Sequence, residues 1–133
     1  MVQSTEPNPG TLERPVRLKV KLQIWLGDDI ALGPGKAELL SWLDQTGSIS
    51  AAARAMGLSY RRAWLMVDTM NRCFTAPLVE TVHGGAKGGG ARLSPFGRAV
   101  LEEYRNLDDD LGALAESRGA PLLSRIARGS PHE

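Results

Sequence analysis

The stretch from Gly47 to Phe74 reads GSISAAARAMGLSYRRAWLMVDTMNRCF, and its reading decides the fold. Ser48 is a good N-cap and predicts a short helix over Ile49 to Met56. That helix is rich in small residues, Ala51, Ala52, Ala53 and Ala55, which let a second helix approach closely. Gly57 and Leu58 make a tight turn. Ser59 is a fresh N-cap, and Ala63, Met66, Val67, Met70 and Phe74 then recur on one face of a 3.6-residue repeat. Two helices around a glycine-containing turn have the spacing of a helix-turn-helix, whose second helix offers its first turn to the major groove. Here that recognition helix is expected over 59–74, and its first turn is Ser59-Tyr60-Arg61-Arg62. The planar fork of arginine can bridge O6 and N7 of guanine. Ser59, and Ser50 in the preceding helix, can hold phosphates at helix starts. An ordinary helical hairpin with two exposed arginines has the same spacing, so the flanking sequence has to separate the two readings.

Downstream, Pro77 ends the helical region, and Leu78 to Val82 and Ala91 to Leu93 read as two short strands. Between them the loop His83 to Gly90 is rich in glycine. A hairpin after a helix-turn-helix is a winged arrangement. The wing at 83–91 has a tip without side-chain bulk, and Lys87 and Arg92 supply charge for the flanking phosphates. A nucleotide-cradling loop is excluded, since no Lys-Ser/Thr pair follows the glycines and no helix opens at once. Ser94-Pro95 begins a last helix, with serine as N-cap and proline at its first position. It is expected to run to about Ser117, where Gly119 and Pro121 break it. Val100, Tyr104, Leu107, Leu111 and Leu114 step by heptad spacing and predict a dimer interface.

Upstream, Val16, Leu18, Val20, Leu22, Ile24 and Leu26 alternate with polar residues and with Trp25, which predicts a strand with one buried face. Lys19 and Lys21 on its outer face suit an edge strand. Gly33-Pro34-Gly35 punctuates the chain, and a helix over Lys36 to Thr46 follows, with Gly47 at its C-terminal cap. The expected fold is mainly α with a small β-sheet: a winged helix-turn-helix with an N-terminal strand and a long C-terminal dimerisation helix. It occupies 15–117, between a disordered tail at 1–14 and a C-terminal tail at 118–133.

Composition agrees with one small domain. The chain has 133 residues, of which 42% are hydrophobic and 23% charged. No apolar run approaches a membrane span, and the polar N-terminus lacks the apolar core of a signal peptide. A single cysteine, Cys73, allows no internal disulfide or thiolate metal cage, and the expected address is cytoplasmic. Charge is uneven. Residues 48–98 hold seven Lys/Arg against two Asp/Glu, whereas 99–133 hold four against seven. Such asymmetry fits a polyanion-facing surface. Catalysis finds little support: His83 and His132 have no partner fixed by the sequence, and there is no nucleophile elbow. Asp108, Asp109 and Asp110 point about 100° apart around a helix and cannot converge on one ion. No enzyme, cofactor or metal site is expected. Cys73 and Trp64, beside the apolar face, are expected to pack.

At these residues the chain resembles the N-terminal DNA-binding domain of the molybdate-responsive regulators, the ModE family, whose helix-turn-helix is related to that of LysR-type regulators. The resemblance spans about Leu18 to Ala115. It is carried by Thr46 to Ala53, by Gly57-Leu58-Ser59-Tyr60-Arg61-Arg62-Ala63-Trp64, by Met70-Asn71, and by the glycines at 84–90 with Arg92-Leu93-Ser94 and Gly97. It implies a winged helix-turn-helix that dimerises through its last helix and binds a palindromic operator in double-stranded DNA. The family's recognition-helix start maps onto Ser59, Tyr60, Arg61 and Arg62, and its wing onto Lys87 and neighbours. Longer members carry C-terminal oxyanion-binding modules, and none is visible in these 133 residues. The expected function is a homodimeric, sequence-specific transcription regulator. The alternatives are a winged-helix interaction module that does not bind DNA, and a regulator that binds molybdate or another oxyanion directly.

Overall fold

The computed structural model describes residues 14–82 and 90–129. The wing tip with His83 and Lys87, most of the expected N-terminal tail, and His132 lie outside the described residues. The elements are β1 (Ile24–Leu26), β2 (Asp29–Leu32), α1 (Pro34–Thr46), α2 (Ile49–Met56), α3 (Tyr60–Cys73), β3 (Val79–Val82), β4 (Gly90–Leu93) and α4 (Pro95–Leu123). The chain is therefore mainly helical, with two small antiparallel sheets, β1–β2 and β3–β4. Its contacts divide it into two compact units, Lys21–Asp108 and the two terminal segments Met1–Val20 with Asp109–Glu133.

In the first unit serine caps start α2 and α3, and glycine caps end α1 and α2. Ser48 Oγ accepts a hydrogen bond from the Ala51 amide (3.1 Å), and Ser59 Oγ accepts one from the Arg62 amide (3.0 Å). Gly47 and Gly57 close α1 and α2 at φ 69°, a left-handed conformation that favours glycine. Leu39, Leu40 and Leu43 of α1, Ala52 and Ala53 of α2, and Ala63, Val67 and Met70 of α3 meet in one core. The alanines let the helices approach closely, as their small size predicts.

Asn71 joins α3 to β3. Its Oδ1 accepts from the amides of Leu78 (2.9 Å) and Val79 (3.1 Å), and its Nδ2 donates to the Val79 carbonyl (3.0 Å). Strands β3 and β4 then pair from Val79 opposite Leu93 to Val82 opposite Gly90. The base of the pair is tied to the end of α1, because the Ala91 amide donates to the Gly47 carbonyl at 3.0 Å. Ser94 caps α4 by accepting from the Gly97 amide (2.8 Å), while its hydroxyl donates to the Pro77 carbonyl (2.7 Å). Gly97 lies so close to Leu78 that a Cβ there would fall 2.1 Å from the Leu78 carbonyl oxygen.

The structure corrects two expectations. The alternation from Val16 to Leu26 yields only the three-residue strand β1, whose residues are all exposed. A strand needs a partner, and only the four residues of β2, turning back through Gly27 at φ 60°, supply one. The β1–β2 pairing has no signal in the alternation, which marks only one strand. Second, α4 continues through Gly119 and Pro121 to Leu123. A helical glycine costs only about 1 kcal/mol, and Pro121 stands in the exposed last turn, where water can satisfy the carbonyl it leaves unpaired. The terminal segments meet at their described ends. In their unit the Arg14 amide donates to the Arg128 carbonyl at 2.7 Å, and the Arg14 side chain reaches the Gly129 carbonyl.

Candidate nucleic-acid interface

The first turn of α3 is fixed from below and open above. Ala63 and Val67 anchor the helix in the core, and the Ser59 cap sets where it begins. Tyr60, Arg61 and Arg62 are all exposed. Trp64 is 44% exposed, so the expectation that it packs in the core is corrected. It stands about 100° round the helix from Ala63, which takes the core-facing place. Tyr60, one turn earlier, is 57% exposed.

Two hollows flank this turn. One, of about 300 Å³, is lined by Ser50, Tyr60 and Trp64 together with the far end of the β3–β4 pair at Val82 and Gly90. The other, of about 400 Å³, is lined by Lys36, Ser59, Arg61 and Arg62. The structure thus brings Ser50, Ser59, Tyr60, Arg61 and Arg62 to one end of α3. Arg92 stands apart on β4, opposite Glu80 in the register and 3.5 Å from its carboxylate. Both side chains are exposed, so the pair holds Arg92 weakly.

The charges of this unit fall into two groups. Arg72 bonds Asp68 at 3.0 Å, and that bond raises its pKa. Arg98 lies 2.7 Å from Asp44, and Arg105 donates to the Ser41 hydroxyl. Arg61, Arg62 and Lys36 have no ion-pair partner among the described residues. Partial burial holds the Lys36 ammonium below its ordinary 10.5; Arg62 pushes the same way, against the pull of Cys73 and Asp29.

No protein-family model matches the chain. Curated relatives do match. The molybdenum transport protein ModE of Azotobacter vinelandii is 42% identical over 78 residues, 59% of this chain and 29% of that protein. The molybdenum-pterin-binding protein MopB of Rhodobacter capsulatus is 42% identical over 86 residues, 65% of this chain and 32% of its own length. The DNA-binding transcriptional dual regulator ModE of Escherichia coli K12 is 34% identical over 113 residues, 85% of this chain and 40% of that regulator. The chain carries a ModE-family domain. It spans about a third of the length of the curated relatives it matches.

Within the ModE-family domain, the expected dimer stripe is divided. Tyr104 is 6% exposed and its hydroxyl donates to the Leu22 carbonyl at 2.8 Å. Val100 packs against the same core. Leu111 is half-buried, and Leu107 and Leu114 are 46% and 53% exposed. A straight helix drifts only about 20° per heptad from a strict seven-residue repeat, so the stripe stays on one face and the division runs along it: its start packs against the core and its later residues do not. Val100 and Tyr104 are therefore core residues of their own chain, and Leu107 and Leu114 are the open part of the stripe.

The sequence reading missed Lys36. From the sequence alone Lys36 only opens a helix. A signal was present: a cation in the first turn of a helix opposes the helix dipole, and α1 has no acidic residue there. Among the described residues no group of three or more His, Cys, Asp and Glu could hold a metal ion. None of their helices is long and apolar enough to cross a membrane.

Proposed function

We propose that this ModE-family domain is a sequence-specific DNA-binding regulator of transcription. In this reading the α2–turn–α3 unit is a helix-turn-helix and β3–β4 is the base of its wing. The observation that carries it is the pair Arg61 and Arg62, exposed and without ion pairs among the described residues at the first turn of a capped helix, where an arginine fork can meet guanine edges. Ser59 and Ser50 bind phosphates at the starts of α3 and α2, and Tyr60 with Trp64 packs against the sugar-phosphate wall. Arg92, with Lys87 beyond the described residues, grips the flanking backbone. The names of the relatives, transcriptional regulators among them, support the same reading.

A palindromic operator and a homodimer belong to the proposal, with half-sites about one helical turn apart or a multiple of it. The exposed Leu107 and Leu114 serve as dimer contacts. The domain acts by binding and not by catalysis.

Fluorescence anisotropy tests the proposal, using a labelled duplex from the gene's own upstream region against a scrambled duplex over a salt series. Tighter binding to the native duplex that persists at high salt supports it. No binding to either duplex at low salt overturns it and favours a protein-interaction module. A direct oxyanion role has one motive, the molybdenum-related names of the relatives. Calorimetry with molybdate that shows no heat removes it.

A further inference from the structure

The basic surface does not end with α3. Lys36, in the first turn of α1, lines the hollow that holds Ser59, Arg61 and Arg62. A second hollow of about 360 Å³ lies on its other side, and Lys36 and Arg62 line that one too, now with Lys21. The two hollows are therefore adjacent, with Lys36 and Arg62 lining both. Four cations, Lys21, Lys36, Arg62 and Arg61, line the two hollows between them. None has an ion-pair partner among the described residues.

This arrangement is unfavourable for the folded protein by itself. Lys36 stands at the positive end of a helix dipole, beside the like charge of Arg62, and partly buried. Elsewhere in the same unit Arg72, Arg92 and Arg98 are paired with Asp68, Glu80 and Asp44, whereas Arg54 has no ion pair among the described residues and Arg105 bonds only the Ser41 hydroxyl. Four unpaired cations gathered on two adjacent hollows, one of them partly buried beside a like charge, fit an extended anion. Its elements assign the parts. The first turn of α3 offers arginines, which suit base edges, whereas α1 and the segment before β1 offer lysines, point charges on flexible stems that suit phosphates.

We propose that Lys36 and Lys21 contact the DNA phosphate backbone beside the groove that α3 enters, and so extend the interface to α1. The inference rests on the DNA-binding reading above. Phosphate contacts set affinity and its salt dependence without reading sequence.

The experiment uses the full chain and a labelled duplex of mixed sequence, about three helical turns long. Affinity is measured against salt for the unsubstituted protein, Lys36→Gln, Lys21→Gln and Lys36→Arg. Arg118→Gln is the control; it removes one positive charge from a residue that lines neither hollow. Each glutamine at 36 or 21 is expected to reduce the log–log salt slope by about 0.9, a factor of about eight in affinity per tenfold change in salt. Lys36→Arg restores the slope, and Arg118→Gln leaves it unchanged. Preference between an operator duplex and a scrambled one does not change in any variant. If both glutamine variants keep the slope of the unsubstituted protein, the strip is not a phosphate contact, though DNA binding stands. If the unsubstituted protein binds no duplex at low salt, the DNA-binding reading itself has failed, and this inference with it. Thermal melts of Lys36→Gln at or above that of the unsubstituted protein rule out misfolding as the cause.

Discussion

The two ends of α3 treat arginine in opposite ways. At the C-terminal end Arg72 lies where the helix dipole favours a cation, and Asp68 holds it at 3.0 Å one turn back. One residue before it, Asn71 satisfies the Leu78 and Val79 backbone with three hydrogen bonds. At the N-terminal end Arg61 and Arg62 sit against the dipole, with Lys36 added from α1 and no carboxylate paired to any of the three among the described residues. One end is satisfied within the chain and carries stability. The other is left open and gains most from an external anion. A substitution at the first end should change folding and spare recognition, and a substitution at the second should do the reverse.

The largest effect is expected on the closed side, at Gly97. Adding a methyl group there drives a Cβ to 2.1 Å from the Leu78 carbonyl oxygen, which the Ser94 amide already uses. The neighbour is backbone and cannot rotate away. Gly97→Ala is expected to cost about 3 kcal/mol, the upper part of the overpacking range, read by urea unfolding. An unchanged midpoint would show that β3 and α4 can separate without loss. Asn71→Ala follows, at about 1–3 kcal/mol for backbone groups left without partners. Asn71→Asp retains an acceptor for the two amides but loses the donor to the Val79 carbonyl, so it should fall between alanine and the native residue. If aspartate proves as damaging as alanine, the amide donor is the decisive bond.

These two positions also show what was legible in the sequence. The caps were readable because each is a local event: Ser48, Ser59, Gly47 and Gly57 set helix ends with atoms a few residues away, and α2 stands where they put it. The β3–β4 pair was readable from its flanking proline and glycines. The roles of Asn71 and Gly97 were not, because each depends on Leu78, which meets them only after folding. The strand expected over Val16–Leu26 failed for a related reason. Alternation describes a face, but pairing requires a partner, and β2 is short. In the candidate interface Arg61, Arg62, Ser59 and Tyr60 were found because they are neighbours in sequence. Lys36 was not, since it reaches the same hollow from another helix.

On the open side, Arg62→Ala is expected to relax base preference at one position per half-site at a cost of about 1–3 kcal/mol in specific binding. The melting temperature should not fall, because the arginine makes no ion pair among the described residues and its capping contact is through the backbone amide. Retention of full preference at every position after both Arg61→Ala and Arg62→Ala would mean that the open end of α3 does not read bases. A fall in stability equal to that of Asn71→Ala would erase the difference between the two ends.

The smallest expected effect is on the pH dependence of stability, and it tests whether the open side is under electrostatic strain. Burial, with Arg62 beside it, holds Lys36 below its ordinary 10.5. In the window just under 10.5 the unfolded chain therefore binds more protons than the folded one, and Lys36 makes stability rise with pH there. Tyr104 works in the other direction. Burial first, then Asp108, holds its phenol above 10.0, so the folded chain keeps that proton longer, and stability falls as pH climbs past 10.0 toward the folded value. Urea unfolding between about pH 8 and about pH 11 separates them, since both groups titrate in that range. Lys36→Gln should remove the rise, and Tyr104→Phe should remove the fall at the cost of the hydrogen bond to the Leu22 carbonyl. Bound DNA should shrink the Lys36 contribution, because a phosphate beside the ammonium favours its charged form. A Lys36→Gln profile that overlays the native one would show that a cation in the first turn of α1 beside Arg62 carries no strain, and the open end of α3 would then differ from the closed end in partners alone.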